Sequence, residues 1–181
     1  FVARGVGKEA LAAVNISMPL INVAFALGIL FAVGASTKAS IYKGQNNGKK
    51  ADRVFTLSTV TVACVGLIVA AVVMLNLTNV AKLLGATEET MGYVKSYLGV
   101  IIMFVPFYMT SYNLEVLIKA DGFPKKAIKT SLAGAATNII LDALFVLVFH
   151  WGITGAAVAT GLSQVLTFTV YLRHFLSDRS G

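Results

Sequence analysis

The sequence predicts an all-α fold: a polytopic bundle of transmembrane helices. Three observations predict it. Of 181 residues, 57% are hydrophobic and only 13% charged, where a soluble domain carries roughly 25% charge. The mean hydropathy is +0.80. The few charges are gathered between long charge-free runs, without the strict alternation over about ten residues that barrel strands need. This composition excludes a disordered chain and argues against a water-soluble domain. The single cysteine, Cys64, excludes a disulfide framework and a cysteine-based zinc site. A net charge of +7 in so apolar a chain marks cytoplasmic loops, not a nucleic-acid partner.

The elements follow in order. The first span is predicted over 11–40, because no charge interrupts Ala10 to Thr37, about 28 positions where a bilayer needs about 20. The second, 53–79, rests on the charge-free stretch Val54 to Ala81, again about 28 positions. The third, 91–119, is built on Ser96 to Leu114, about 19 positions, and extends further if Glu115 sits at the interface. Thr130 to Leu172 holds one charge, Asp142, in about 43 positions, too many for one span. It divides into 125–149 and 153–176, with His150-Trp151-Gly152-Ile153-Thr154-Gly155 as the turn, through its two glycines.

The loop charges orient the bundle. Lys38, Lys43, Lys49, Lys50 and Arg53, then Lys119, Lys125, Lys126 and Lys129, then Arg173 and Arg179, fall on one side. Arg4, Lys8, Lys82 and Lys95 fall on the other, beside Glu9, Glu88 and Glu89. The positive-inside rule puts the first set in the cytoplasm and the N-terminus outside. The chain opens at Phe1 with no basic-then-apolar signal segment. We therefore expect a fragment, with one more helix before Phe1.

Asp142 is the residue to explain. A carboxylate in mid-helix costs about 2.5–3.5 kcal/mol on insertion scales, which makes it a functional-site hypothesis. Asn138 lies four residues earlier on the same face, where its amide oxygen can share a cation or its NH₂ can hold the carboxylate. Asp142 precedes Trp151, and Thr160 follows it, by equal spacings; at about 1.5 Å per residue both lie roughly 13 Å below the turn. Small residues support close packing there: Gly155, Ala156, Ala157, Ala159, Thr160 and Gly161 on the last span, Ser131, Ala133, Gly134, Ala135 and Ala136 on the one before. Asp142, Asn138 and Thr160 are thus a candidate site for Na⁺ or a proton; the competing reading is helix–helix glue.

Glu115 is explained by an interfacial pair with Lys119 at i,i+4 spacing, or by a proton-relay role. Asn15, Asn22 and Asn113 either line a cavity or bond a neighbouring backbone. Pro19 and Pro106 are expected to kink their helices. Met18, Phe25, Phe104, Phe107, Tyr108 and Tyr112 either offer ring faces to apolar cations or pack against helices and lipid. Asn22, Phe25, Tyr112, Asn113 and Glu115 are the candidate substrate-cavity residues. Cys64 reads as a small apolar filler, and His150 and His174 as solvated residues at the membrane edges. No HExxH, GxSxG, P-loop or paired-aspartate constellation occurs, so an enzyme is not expected.

Several motifs in order resemble the multidrug and toxic compound extrusion (MATE) family. Leu84-Gly85-Ala86-Thr87-Glu88-Glu89 resembles the outer loop between its third and fourth helices, with Tyr97-Leu98 following. Asp121-Gly122-Phe123-Pro124-Lys125-Lys126-Ala127 resembles the next cytoplasmic loop. Asn138-Ile139-Ile140-Leu141-Asp142 and Gly152-Ile153-Thr154-Gly155-Ala156-Ala157-Val158-Ala159-Thr160 resemble its helix-five and helix-six signatures. The resemblance covers nearly the whole chain, 1–181, as helices two to six of a six-helix N-terminal lobe. It implies a multi-pass protein of the inner cell membrane that exports cationic amphipathic molecules by alternating access. Its partners would be the lipid bilayer and the rest of the same protein: the first helix, which usually adds an acidic residue to the site, and a C-terminal lobe. The family's cation site falls on Asn138, Asp142 and Thr160, with Na⁺ or H⁺ as coupling ion and no other cofactor. Two alternatives compete: a flippase for lipid-linked saccharides, against which an intramembrane region with no Lys or Arg and one Asp argues, and a non-transporting membrane assembly subunit.

Overall fold

The computed structural model describes residues 7–177; Arg4 and Arg179, counted among the loop charges, lie outside them. Among the described residues there is no strand, and five helices are long and apolar enough to cross a membrane. These are α1 (Lys8–Gly44), α2 (Gly48–Leu75), α4 (Glu88–Ala120), α5 (Pro124–Asp142), which continues as a π-helical segment (Ala143–Val148), and α6 (Gly152–Ser177); a short α3 (Leu77–Leu83) joins α2 to α4. Large apolar side chains such as Leu30, Leu57, Met103, Leu132 and Ile140 are exposed around the bundle. Water would not tolerate so apolar a surface, whereas lipid does.

Local chemistry sets the ends. α4 opens on a reciprocal cap: Thr87 N–H donates to Thr90 Oγ1 at 2.9 Å and Thr90 N–H to Thr87 Oγ1 at 3.4 Å. Glu88 and Glu89 in its first turn and Lys119 in its last complement the helix dipole. The second span was expected to run unbroken to Asn79. It stops at Asn76, whose side-chain amide donates to the Val72 carbonyl at 3.0 Å, a local bond that competes with helix propagation. In the hairpin before α5, Gly122 sits at φ 100, a conformation that glycine adopts without steric cost.

The turn between the last two spans differs from expectation. Past Asp142 the chain widens to π geometry, with Phe149 N–H donating to the Leu144 carbonyl at 2.9 Å. His150 (φ 54) and Gly152 (φ 64) then reverse the chain. Gly155 closes the turn onto α6, its N–H donating to the Trp151 carbonyl at 3.4 Å. It is buried inside α6, where a Cβ would meet Phe145 Cβ at 3.1 Å.

α4 is the central helix, packed against α1, α2, α5 and α6. Glycines bring its partners close. A Cβ on Gly28 of α1 would lie 3.7 Å from Met109 Cα, and one on Gly66 of α2 only 2.7 Å from Pro106 Cα. Gly161 of α6 lies against the Phe104 ring. The small-residue face of α6 is buried, as the sequence predicts. That of α5 is not: Ser131, Ala133, Ala135 and Ala136 are exposed and only Gly134 is buried, because α5 lies at the edge of the bundle. Cys64, read as filler, is exposed on α2.

The lysine-rich end is knitted together rather than merely solvated. The Lys43 ammonium on α1 pairs with the Asp121 carboxylate in the α4–α5 hairpin. Asp121 Oδ2 lies 3.3 Å from His174 Nε2 on α6, and Lys126 Nζ lies 3.0 Å from His174 Nδ1. His174 is 1% exposed, so its expected place at a solvated edge is corrected: the α4–α5 hairpin, with Phe123 at 5.0 Å, folds over it.

Candidate functional site

The helical hairpin of α5 and α6 positions the predicted site. Asn138 Nδ2 donates to Thr160 Oγ1 at 3.3 Å, so the depth argument does bring these two residues together. With its N–H committed to Thr160, the Asn138 carbonyl oxygen remains available to a ligand. Asp142 stands one helical turn towards the α5–α6 turn. Its Oδ1 is buried and has no hydrogen-bond partner among the described residues. Neither Asn138 nor Thr160 holds it, so the amide-to-carboxylate bond considered from sequence does not form.

Asn138 and Thr160 line a cavity of about 350 Å³ between α1, α4, α5 and α6. Phe25, Tyr112 and Glu115, three of the five predicted cavity residues, also line it. Phe25 packs on Tyr112 at 4.7 Å and on Tyr108 at 5.8 Å, making one aromatic wall. Asn22 lines a second cavity of about 270 Å³ with Met18, Tyr97 and Phe104. Thr160, Gln164 and Tyr108 face both cavities. Phe107 lines neither and packs on Phe168 at 5.4 Å.

Asn113 is a correction. It lines neither of these cavities, because consecutive helical residues point about 100° apart and only Tyr112 faces inward. Asn113 is fully buried against α2, where Ser58 Oγ–H donates to its Oδ1 at 2.9 Å and its Nδ2 is left unpartnered. Ser58→Ala strands the whole amide and is expected to cost about 1–2 kcal/mol. Asn113→Leu should cost less, since Ser58 can turn its proton to its own helix backbone. Thermal unfolding in detergent of the two variants checks the order.

Of the polar lining on α6, sequence reasoning found Thr160 and missed Ser163, Gln164, Thr167 and Tyr171. Thr160, Ser163, Gln164, Thr167 and Tyr171 all face the 350 Å³ cavity. Their spacing of three, four, seven and eleven positions from Thr160 is one helical stripe, a signal that a periodicity count would have found. Ser111 and Thr167 join α4 to α6 through their hydroxyls at 2.9 Å. The site therefore sets an amide carbonyl and hydroxyls at the cavity, while Asp142, which lines neither cavity, stands one turn away with its buried Oδ1 unpartnered among the described residues. Hard oxygen donors of this kind suit a small cation, and the carboxylate alone suits a proton.

The MatE family profile matches residues 1–144. The multidrug export protein MepA of Staphylococcus aureus (strain NCTC 8325 / PS 47) is 30% identical over 168 residues, 93% of this chain. MepA of Staphylococcus saprophyticus is 30% identical over 166 residues, 92% of this chain. The chain spans 37% of the length of each of these relatives. A crystal structure of a MATE protein in the bent conformation superposes with a TM-score of 0.93 over 99% of this chain and 40% of that one, at 24% identity. An outward-facing multidrug resistance MATE transporter superposes at 0.88, over 98% of this chain and 40% of that one, also at 24% identity. At that identity both establish the fold alone.

Proposed function

The chain belongs to the MatE family, and from that premise we propose that it is the ion-sensing part of a cation-coupled exporter of cationic, amphipathic molecules. The observation that carries this reading is the Asp142 carboxylate. One of its oxygens is buried with no hydrogen-bond partner among the described residues, one turn along α5 from the Asn138–Thr160 pair within a membrane bundle. Membrane proteins keep such groups for ion, proton or substrate pathways. The relatives' description as multidrug export proteins supports the cargo class.

The residues divide the work. Asp142 supplies negative charge where lipid makes charge expensive, so Na⁺ or H⁺ binds to cancel it. Asn138 and Thr160 supply neutral oxygens that replace an ion's water. Both sit at the α5–α6 contact, so filling the site changes how these helices pack. A ligand shifts two conformations only by its differential affinity for them; the ion favours one packing and the cargo the other, which is exchange. The lysine-rich end faces the cytoplasm.

The test uses a transporter of the relatives' full length that contains this chain, reconstituted in liposomes and loaded with a fluorescent cationic dye. Efflux is followed under an imposed Na⁺ gradient, then an H⁺ gradient. Efflux driven by one gradient is expected and identifies the ion. No dye movement under either overturns the reading.

A further inference from the structure

Among the described residues that line the 350 Å³ cavity, one is charged, Glu115. It lies near the lysine-rich end of α4, well away from Asp142 at the opposite end of α5. Its Oε1 is held by Lys119 Nζ at 2.6 Å, one turn along the same helix. The two partners differ in environment. The Glu115 side chain is 19% exposed and turned into the cavity, whereas the Lys119 side chain is 42% exposed and at the helix end. The other polar groups around Glu115 are neutral and largely committed. Tyr171, which lines the same cavity, donates its proton to the Ala127 carbonyl at 3.0 Å. Thr167 bonds Ser111 and its own helix. Phe25, Tyr108 and Tyr112 present rings to the same space.

We propose that Lys119 is a built-in stand-in for cargo: its ammonium neutralises Glu115 while the cavity is empty, and an entering organic cation displaces it. The inference rests on the reading of the cavity as a cargo site and adds the device that sets its selectivity. Three features make displacement feasible. The Lys119 stem is flexible and carries its own route to water, so release strands no buried charge. The carboxylate stays inside, where a partly apolar surrounding strengthens its attraction for any cation. An aromatic wall faces that carboxylate, so a cation with apolar substituents gains ring contacts that a lysine ammonium does not. Competition with a tethered ammonium also rejects neutral molecules, which cannot replace the charge that Lys119 withdraws.

The experiment measures tetraphenylphosphonium binding to a full-length transporter containing this chain, in detergent without an ion gradient. Wild type, Lys119→Met, Glu115→Gln and the double variant are compared. Lys119→Met removes the competitor and is expected to lower the Kd about fivefold. Glu115→Gln should raise it at least tenfold. The double variant should match Glu115→Gln, because Lys119 acts only through Glu115. Wild-type binding with an unchanged Kd in Lys119→Met overturns the stand-in while leaving the cargo reading in place. So does an equal gain from Lys119→Met in the Glu115→Gln background, which would mark a diffuse surface-charge effect. No binding by folded wild type overturns both readings. Lys119 is exposed, so its variant keeps the test open even if Glu115→Gln fails to fold.

Discussion

Asp142→Asn in the full-length transporter is expected to reduce ion-driven efflux at least tenfold, while the midpoint of thermal unfolding stays level or rises. The substitution keeps the shape of the side chain and removes its charge. An asparagine neither attracts Na⁺ nor releases a proton at physiological pH, so the step that senses the gradient is lost. Tenfold corresponds to about 1.4 kcal/mol, less than the cost of about 2.5–3.5 kcal/mol of keeping a carboxylate at mid-membrane. That cost is recovered in the variant, which is why stability should not fall. The paired readout discriminates. Glue between α5 and α6 predicts the reverse pattern: a lower unfolding midpoint and undiminished efflux per folded molecule.

Gly66→Ala is expected to be strongly damaging for so conservative a substitution. The added methyl would lie 2.7 Å from Pro106 Cα. That atom belongs to backbone at the centre of the bundle and has no rotamer through which to yield. Overpacking of this kind costs about 1–3 kcal/mol, and the small-residue contact that lets α2 approach α4 is lost. Gly34 and Gly92 provide controls, since nothing lies within 4 Å of a Cβ at either position. Alanine is the better helix former, so Gly34→Ala and Gly92→Ala should be neutral or mildly stabilising. Unfolding in detergent of the three variants would expose an error: equal midpoints would mean that α2 and α4 separate freely at Gly66.

The architecture was legible because lipid imposes a simple rule: charge stays out of the span. Charge-free runs therefore located all five long helices. The rule is blind to breaks made by polar but neutral groups, so the Asn76 stop and the change to π geometry after Asp142 went unread. Asn138 and Thr160 could be paired from equal depth below a turn. Depth does not carry azimuth, however. Its spacing allows Asn113 a place in the cavity, whereas it points to α2, and its position near a helix end suggests water around His174, whereas the Asp121 hairpin folds over it. The polar stripe from Thr160 to Tyr171 was available to periodicity. The Lys43–Asp121 contact was not, since it joins residues 78 positions apart through a tertiary fold.

That contact gives the bundle ends of unequal stiffness. The Lys43 ion pair and the His174 contact, both made to Asp121, clamp α1, the α4–α5 hairpin and α6 at the lysine-rich end, while apolar contacts, which slide more readily, hold the other. A helix fastened at one end behaves as a lever. With the fulcrum at His174, a tilt of α6 by about 5° carries Thr160 sideways by about 1.8 Å and Gly152 by about 2.9 Å, at the usual rise per residue. The first displacement is comparable to the difference between a hydrogen bond made and one broken. A rotation too small to disturb the clamp is thus amplified, at the depth of Thr160, into the opening or closing of its bond to Asn138.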